Sequence, residues 1–114
     1  MNTEEFKNWI AINNIIERTK NGFWNYIENY KREEPDEFSE VFSNVDVNFV
    51  EINISKISLT ISYRFDEPIK FVSAFIEIEY KGEELGVYES LFSLDGDDLD
   101  DYLRIKKGGG QCKI

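Results

Sequence analysis

The chain has 114 residues, of which 13 are basic and 23 acidic, with no histidine and one cysteine, giving a formal net charge of −10. That length fits one domain able to bury a core without a covalent or metal staple. The same counts exclude a histidine-based triad, a histidine-ligated metal site, a disulfide framework, a cysteine-rich zinc module and a basic nucleic-acid binder.

In chain order, the first third reads as helical. Phe6, Trp9, Ile10, Asn13, Ile16 and Lys20 step by three or four, and Ile12 and Ile15 widen the apolar stripe. Asn2 with Glu5 three residues on has the spacing of a capping box. Asn21-Gly22 is a natural stop, since Gly tolerates the left-handed conformation that closes a helix. Phe23, Tyr26, Ile27 and Tyr30 form a second helical pattern ending in Lys31-Arg32 before Pro35. Gly22 therefore either separates two helices or bends one long helix, and the pattern leaves both open. Beyond the charged connector 33–37, Phe38, Val41 and Phe42 suggest one more short turn.

From Val45 the period changes to two. Val45, Val47 and Phe49 alternate with polar residues, then Val50, Ile52 and Ile54 continue in the opposite phase, a slip that predicts over 45–54 either a bulged strand or one covered on both faces. Ile57, Leu59, Ile61, Tyr63 and Phe65 predict a second strand, and Asp66-Glu67-Pro68 a turn. A third strand over about 71–81 carries Val72, Ala74, Ile76, Ile78 and Tyr80 on one face. Lys81-Gly82 suits a tight hairpin into a fourth strand over 85–94, whose facing is ambiguous because Tyr88, Phe92 and Leu94 compete with Leu85, Val87 and Leu91. Asp95-Gly96 ends the sheet region, and Asp97 or Asp98 caps an expected last helix in which Leu99, Tyr102 and Leu103 share a face.

Helices followed by strands on short turns predict α+β: an N-terminal helix or helix pair on one face of a four-stranded antiparallel meander sheet, with a short C-terminal helix. The expected organisation is one domain over 1–107 and a mobile tail over 108–114.

Chemistry is sparsely provided. The run Asp95-Gly96-Asp97-Asp98-Leu99-Asp100-Asp101 lacks the alternate-position spacing of an EF-hand loop and reads more simply as a turn and helix cap. Cys112 lies in a Gly-rich tail with nothing rigid to hold a substrate beside it. No G-x-S-x-G is present, and Gly108-Gly109-Gly110 does not match a phosphate loop. The sequence therefore predicts no enzyme, cofactor or metal site. The acidic N-terminal stretch, the lack of any long apolar run and the single cysteine predict a cytoplasmic protein with no membrane segment; the sequon Asn53-Ile54-Ser55 is then incidental.

Charge distribution is the most informative feature. Residues 33–40 hold five acids and no base, and residues 77–101 hold ten acids against Lys81 alone, whereas residues 1–32 nearly balance. The expectation is a small protein-binding module that steers to, pairs with and occludes a basic partner, toxin- or nuclease-like, in the manner of immunity or antitoxin-type inhibitors. The expected partner-binding residues are Glu77, Glu79, Glu83, Glu84 and Glu89 on the second hairpin and Asp97, Asp98, Asp100 and Asp101 beside it. Trp24 or Tyr88 would serve as an exposed aromatic anchor. Two rival expectations are a small-ligand binder or cofactor-free enzyme, with a pocket lined by Tyr63, Tyr80 or Trp9, and a homodimer joined through an edge strand.

Overall fold

A computed structural model describes residues 1–106. Three helices, α1 (Thr3–Ile12), α2 (Ile15–Glu33) and α3 (Pro35–Val41), precede a single 3-10 turn (Val47–Phe49). A four-stranded sheet follows: β1 (Glu51–Ser62), β2 (Ile69–Tyr80), β3 (Glu83–Phe92) and β4 (Asp98–Ile105). All pairings are antiparallel and the spatial order is β1-β2-β3-β4, a meander with helices on one face, as the α+β reading expects. The tail, including Cys112 and Gly108-Gly109-Gly110, lies outside the described residues, as does the expected domain boundary after residue 107.

The chain starts with the capping box: the Glu5 amide donates to Asn2 Oδ1 at 2.8 Å and the Asn2 amide to Glu5 Oε1 at 2.9 Å. The helical break falls at Asn13-Asn14, not at Gly22. Asn14 has a left-handed backbone, φ 53°, which Asn tolerates better than most residues. The apolar stripe changes phase there. Ile15, Thr19, Phe23 and Ile27 are buried along α2, while Ile12 and Ile16 stay exposed. Gly22 sits inside α2 because it passes against Tyr88 of β3: a Cβ at this position would stand 2.8 Å from the Tyr88 phenol oxygen.

The sheet reaches four strands by a different division of the chain. Residues 45–49, expected as strand, form a turn and the 3-10 segment, since the Asp46 carboxylate accepts the Asn48 amide at 3.0 Å and offers the backbone a local alternative to a ladder. The two strands expected over 45–54 and 57–65 thus become the single β1. Its bulge lies at Ser55, where Ile54 pairs with Ile76 but Lys56 with Phe75. The expected C-terminal helix is instead β4. Its helical spacing of Leu99, Tyr102 and Leu103 gives way to the pairing that β3 offers, with Leu103 opposite Tyr88 and Ile105 opposite Gly86.

The ambiguity in β3 resolves toward Tyr88 and Phe92, which face the helices opposite Ile76 and Val72. Lys81 and Gly82, with φ of 54° and 81°, make the two-residue hairpin that joins β2 to β3. Two clusters form the core. Phe23, Ile27, Phe38, Phe42, Val50, Ile76, Ile78, Tyr88 and Ile105 lie under α2 and α3, and Ile15, Val72, Ala74 and Phe92 lie beneath α1 with Phe6, Trp9 and Ile10 packed against them.

Candidate functional site

Helix α2 packs mainly against β2 and β3 and touches β4 through Arg18. The space left between α2 and the helix-side face of β4 is an open groove of about 700 Å³. One wall is the face of α2 turned away from Phe23 and Ile27. Helical spacing brings Arg18, Asn21, Asn25 and Asn29 together there, with Tyr26 and Tyr30 lower on the wall. The other wall is β4. Phe92 pairs with Asp98 but Leu91 with Asp100, so Leu99 is an extra residue in the ladder. This bulge shifts the alternation and turns both Asp98 and Asp101 toward α2, where a regular strand would have placed them on opposite faces.

Each end of the groove has its own contacts. At one end Arg18 donates from one guanidinium nitrogen to Asp98 Oδ1 at 2.9 Å and from the other to the Asn13 carbonyl at 3.0 Å, and its plane lies 4.9 Å from the Phe92 ring centre. It thereby ties the α1–α2 junction to the end of the sheet. At the other end are Glu33 and Glu34, close to Tyr30, whose hydroxyl donates to Glu37 at 2.6 Å. On the floor the Tyr88 hydroxyl donates to Asp101 Oδ2 at 2.6 Å, and Tyr26 meets Tyr88 edge-on with ring centres 6.0 Å apart.

The tyrosines register the local potential. Burial raises the Tyr88 phenol pKa well above its ordinary value, and donation to Asp101 adds to that rise. Tyr26 is also raised, first by burial and then by the charges of Asp101, Glu37 and Asp100. The part of these rises that comes from Asp101, Glu37 and Asp100 reflects a negative local potential, whereas the larger part from burial penalises charge of either sign.

The sequence-derived residues divide into two groups. Asp98 and Asp101 converge on the groove, while Asp100 borders it with its carboxylate turned to the helix-free face, where it accepts from the Tyr102 hydroxyl at 3.0 Å. Glu77 and Glu89 lie on the opposite, helix-free face of the sheet, where Glu89 meets Arg104 at 3.6 Å. Glu79, Glu83 and Glu84 cluster at the β2–β3 hairpin, with Glu84 held by Lys106 at 2.9 Å. Asp97 is exposed in the β3–β4 turn, its amide donating to Ser93 Oγ. Trp24 is 38% exposed and packs edge-on against Phe23.

Tyr88 is only 1% exposed and cannot be a surface anchor; its hydroxyl is committed to Asp101 beneath α2. The aromatics expected to line one pocket also separate. Tyr63 is exposed, the Tyr80 hydroxyl accepts the Asp46 amide in a second open hollow, and the Trp9 indole donates to the Leu94 carbonyl.

Sequence reasoning missed Arg18, Tyr26 and the three asparagines. The spacing of Asn21, Asn25 and Asn29 by four was the available signal, a polar stripe on a helix that buries its opposite side. Among the described residues no group of three or more acidic or thiol side chains is placed to hold a metal ion, and no helix is long and apolar enough to cross a membrane. The chain matches no protein-family model, and neither a curated protein nor a solved structure matches it.

Proposed function

We propose that the chain is a protein-binding module that recognises a basic partner and occludes its working surface, an inhibitor of the immunity or antitoxin type. The supporting observation is the α2–β4 groove, whose lining holds five acids, Glu33, Glu34, Asp98, Asp100 and Asp101, against one cation, Arg18, itself engaged with Asp98 at one end. A lysine or arginine side chain entering the groove would meet carboxylate acceptors and asparagine amide oxygens while the net charge of −10 draws its owner in. Trp24, 38% exposed on the same helix but outside the groove lining, offers apolar contact area beside it.

The test is capture from the native host at low and high salt with the wild-type chain and a Glu33→Lys/Glu34→Lys/Asp100→Lys variant, all three residues being exposed. The expected result is one basic protein retained at low salt, released by added salt, and associating with the variant roughly 10- to 1,000-fold more slowly. Equal retention by the variant, or recovery of no basic protein, overturns the reading. A second reading, a small-ligand site, draws on the groove's volume, which lies within the usual range of about 300–1,000 Å³ for such sites. Its polar walls weigh against it. A salt-insensitive rise in thermal stability with a small uncharged ligand would favour it.

A further inference from the structure

The two edges of the sheet are built differently. β4 carries Asp98, Asp100, Asp101 and Arg104, the charged side chains that blunt a strand edge against pairing. β1, at the other edge, is not protected in this way. From Ile57 to Ser62 it has no charged residue, and among the described residues no loop or turn backbone hydrogen bond reaches it from its open side. Its apolar side chains overrun the helices: Leu59 is 39% exposed, Ile61 45%, and beyond the strand end Tyr63 75% and Phe65 59%.

The order of residues here is self-complementary. Around Ile61 the run Ile57-Ser58-Leu59-Thr60-Ile61-Ser62-Tyr63-Arg64-Phe65 alternates apolar and polar symmetrically, and it is flanked by Lys56 on one side and Asp66 on the other. Laid antiparallel against a copy of itself with Ile61 at the centre, Leu59 falls opposite Tyr63 and Ser58 opposite Arg64, short of the bend that leads to β2. A two-fold interface requires this kind of self-matching patch. Residues 52–65 also hold two basic residues and no acid, so two molecules of charge −10 can meet here without opposing carboxylates.

We propose that β1 pairs antiparallel with β1 of a second copy about Ile61, joining two four-stranded sheets into one of eight strands. In the dimer β1 extends past Ser62 only as far as its connection to Ile69 allows, and the Ser55 bulge limits the pairing at its other end. The alternation of apolar and polar side chains about Ile61 fixes the register.

Sedimentation equilibrium over a concentration series reaching the millimolar range tests the proposal. A monomer–dimer equilibrium is expected. Ile61→Lys, which sets two like charges face to face at the axis, should weaken it on the order of 100-fold. Far-UV circular dichroism at low concentration should be unchanged, because Ile61 is nearly half exposed in the monomer. In a Cys112→Ser background, Ile61→Cys should cross-link to itself under mild oxidation. A chain that stays monomeric at every concentration overturns the proposal, as does a dimer that ignores Ile61→Lys or an Ile61→Cys chain that does not cross-link to itself. The groove lies at the opposite edge, so charge reversal at Glu33, Glu34 and Asp100 leaves the dimer intact whether or not the basic-partner reading holds.

Discussion

A β-carbon built on Gly22 would stand 2.8 Å from the Tyr88 phenol oxygen, and that oxygen has nowhere to retreat because it is buried and donates a 2.6 Å hydrogen bond to Asp101. Gly inside a helix costs about 1 kcal/mol relative to Ala, yet a hydrogen bond to a charged acceptor contributes about 1.5–3 kcal/mol. Gly22→Ala should therefore destabilise the wild-type chain by about 1 kcal/mol. In a Tyr88→Phe background, where the next nearest atom is a ring carbon at 3.7 Å, the same change should become stabilising, a reversal of sign that chemical denaturation can measure. Tyr88 also governs alkaline behaviour. Its folded pKa lies above the ordinary tyrosine value of about 10, through burial and then the Asp101 hydrogen bond. Its contribution is thus fully present below pH ~10, where both states hold the proton, and is lost at higher pH as the unfolded chain ionises first. The denaturation midpoint should fall with pH above about 10, less steeply in Tyr88→Phe.

Sequence patterning located β2 and the β2–β3 hairpin well, because they combine a clean period with a turn residue that has one geometric use. It failed where a local preference lost to a packing demand. Asn21-Gly22 has the chemistry of a helix end, but Gly22 is needed as a gap for Tyr88, a contact with a residue 66 positions away that no local window contains. The segment 98–105 reads as helix because Asp101 interrupts the apolar alternation of Leu103 and Ile105. The inward carboxylate is explained only by the Tyr88 hydroxyl opposite it. The candidate site was legible in part for the same reason: the aspartates of β4 stood out in composition, but their convergence depends on the Leu99 bulge and on α2 lying alongside.

The junction of α1 and α2 rests on Arg18, which sequence counting treats as one balancing charge. Its hydrogen bond to the Asn13 carbonyl and its contact with Phe92 are part-buried, whereas Asp98 is largely exposed and adds little as an ion pair. Arg18→Ala should cost about 1–3 kcal/mol, and Arg18→Lys should recover less than half, since an ammonium cannot reach two acceptors and lie flat on a ring at once. Urea titrations of the two variants check both amounts.

For the whole molecule the net charge of −10 sets two responses to salt that run in opposite directions. Self-repulsion destabilises the compact state, so screening should raise the thermal midpoint as sodium chloride is added. Attraction to a basic partner should weaken over the same range. Calorimetry and capture on one salt series would separate this behaviour from simple loss of structure, in which both quantities fall together.

Helix α1 buries no residue completely and is fastened at Trp9, whose indole donates to the Leu94 carbonyl at 2.9 Å while its ring stacks near Phe6. An element held so lightly opens at lower free energy than the sheet. The indole is thus a built-in optical reporter. With Trp24→Phe silencing the other emitter, a red shift at denaturant concentrations below the main transition would record α1 lifting away while the strands remain paired.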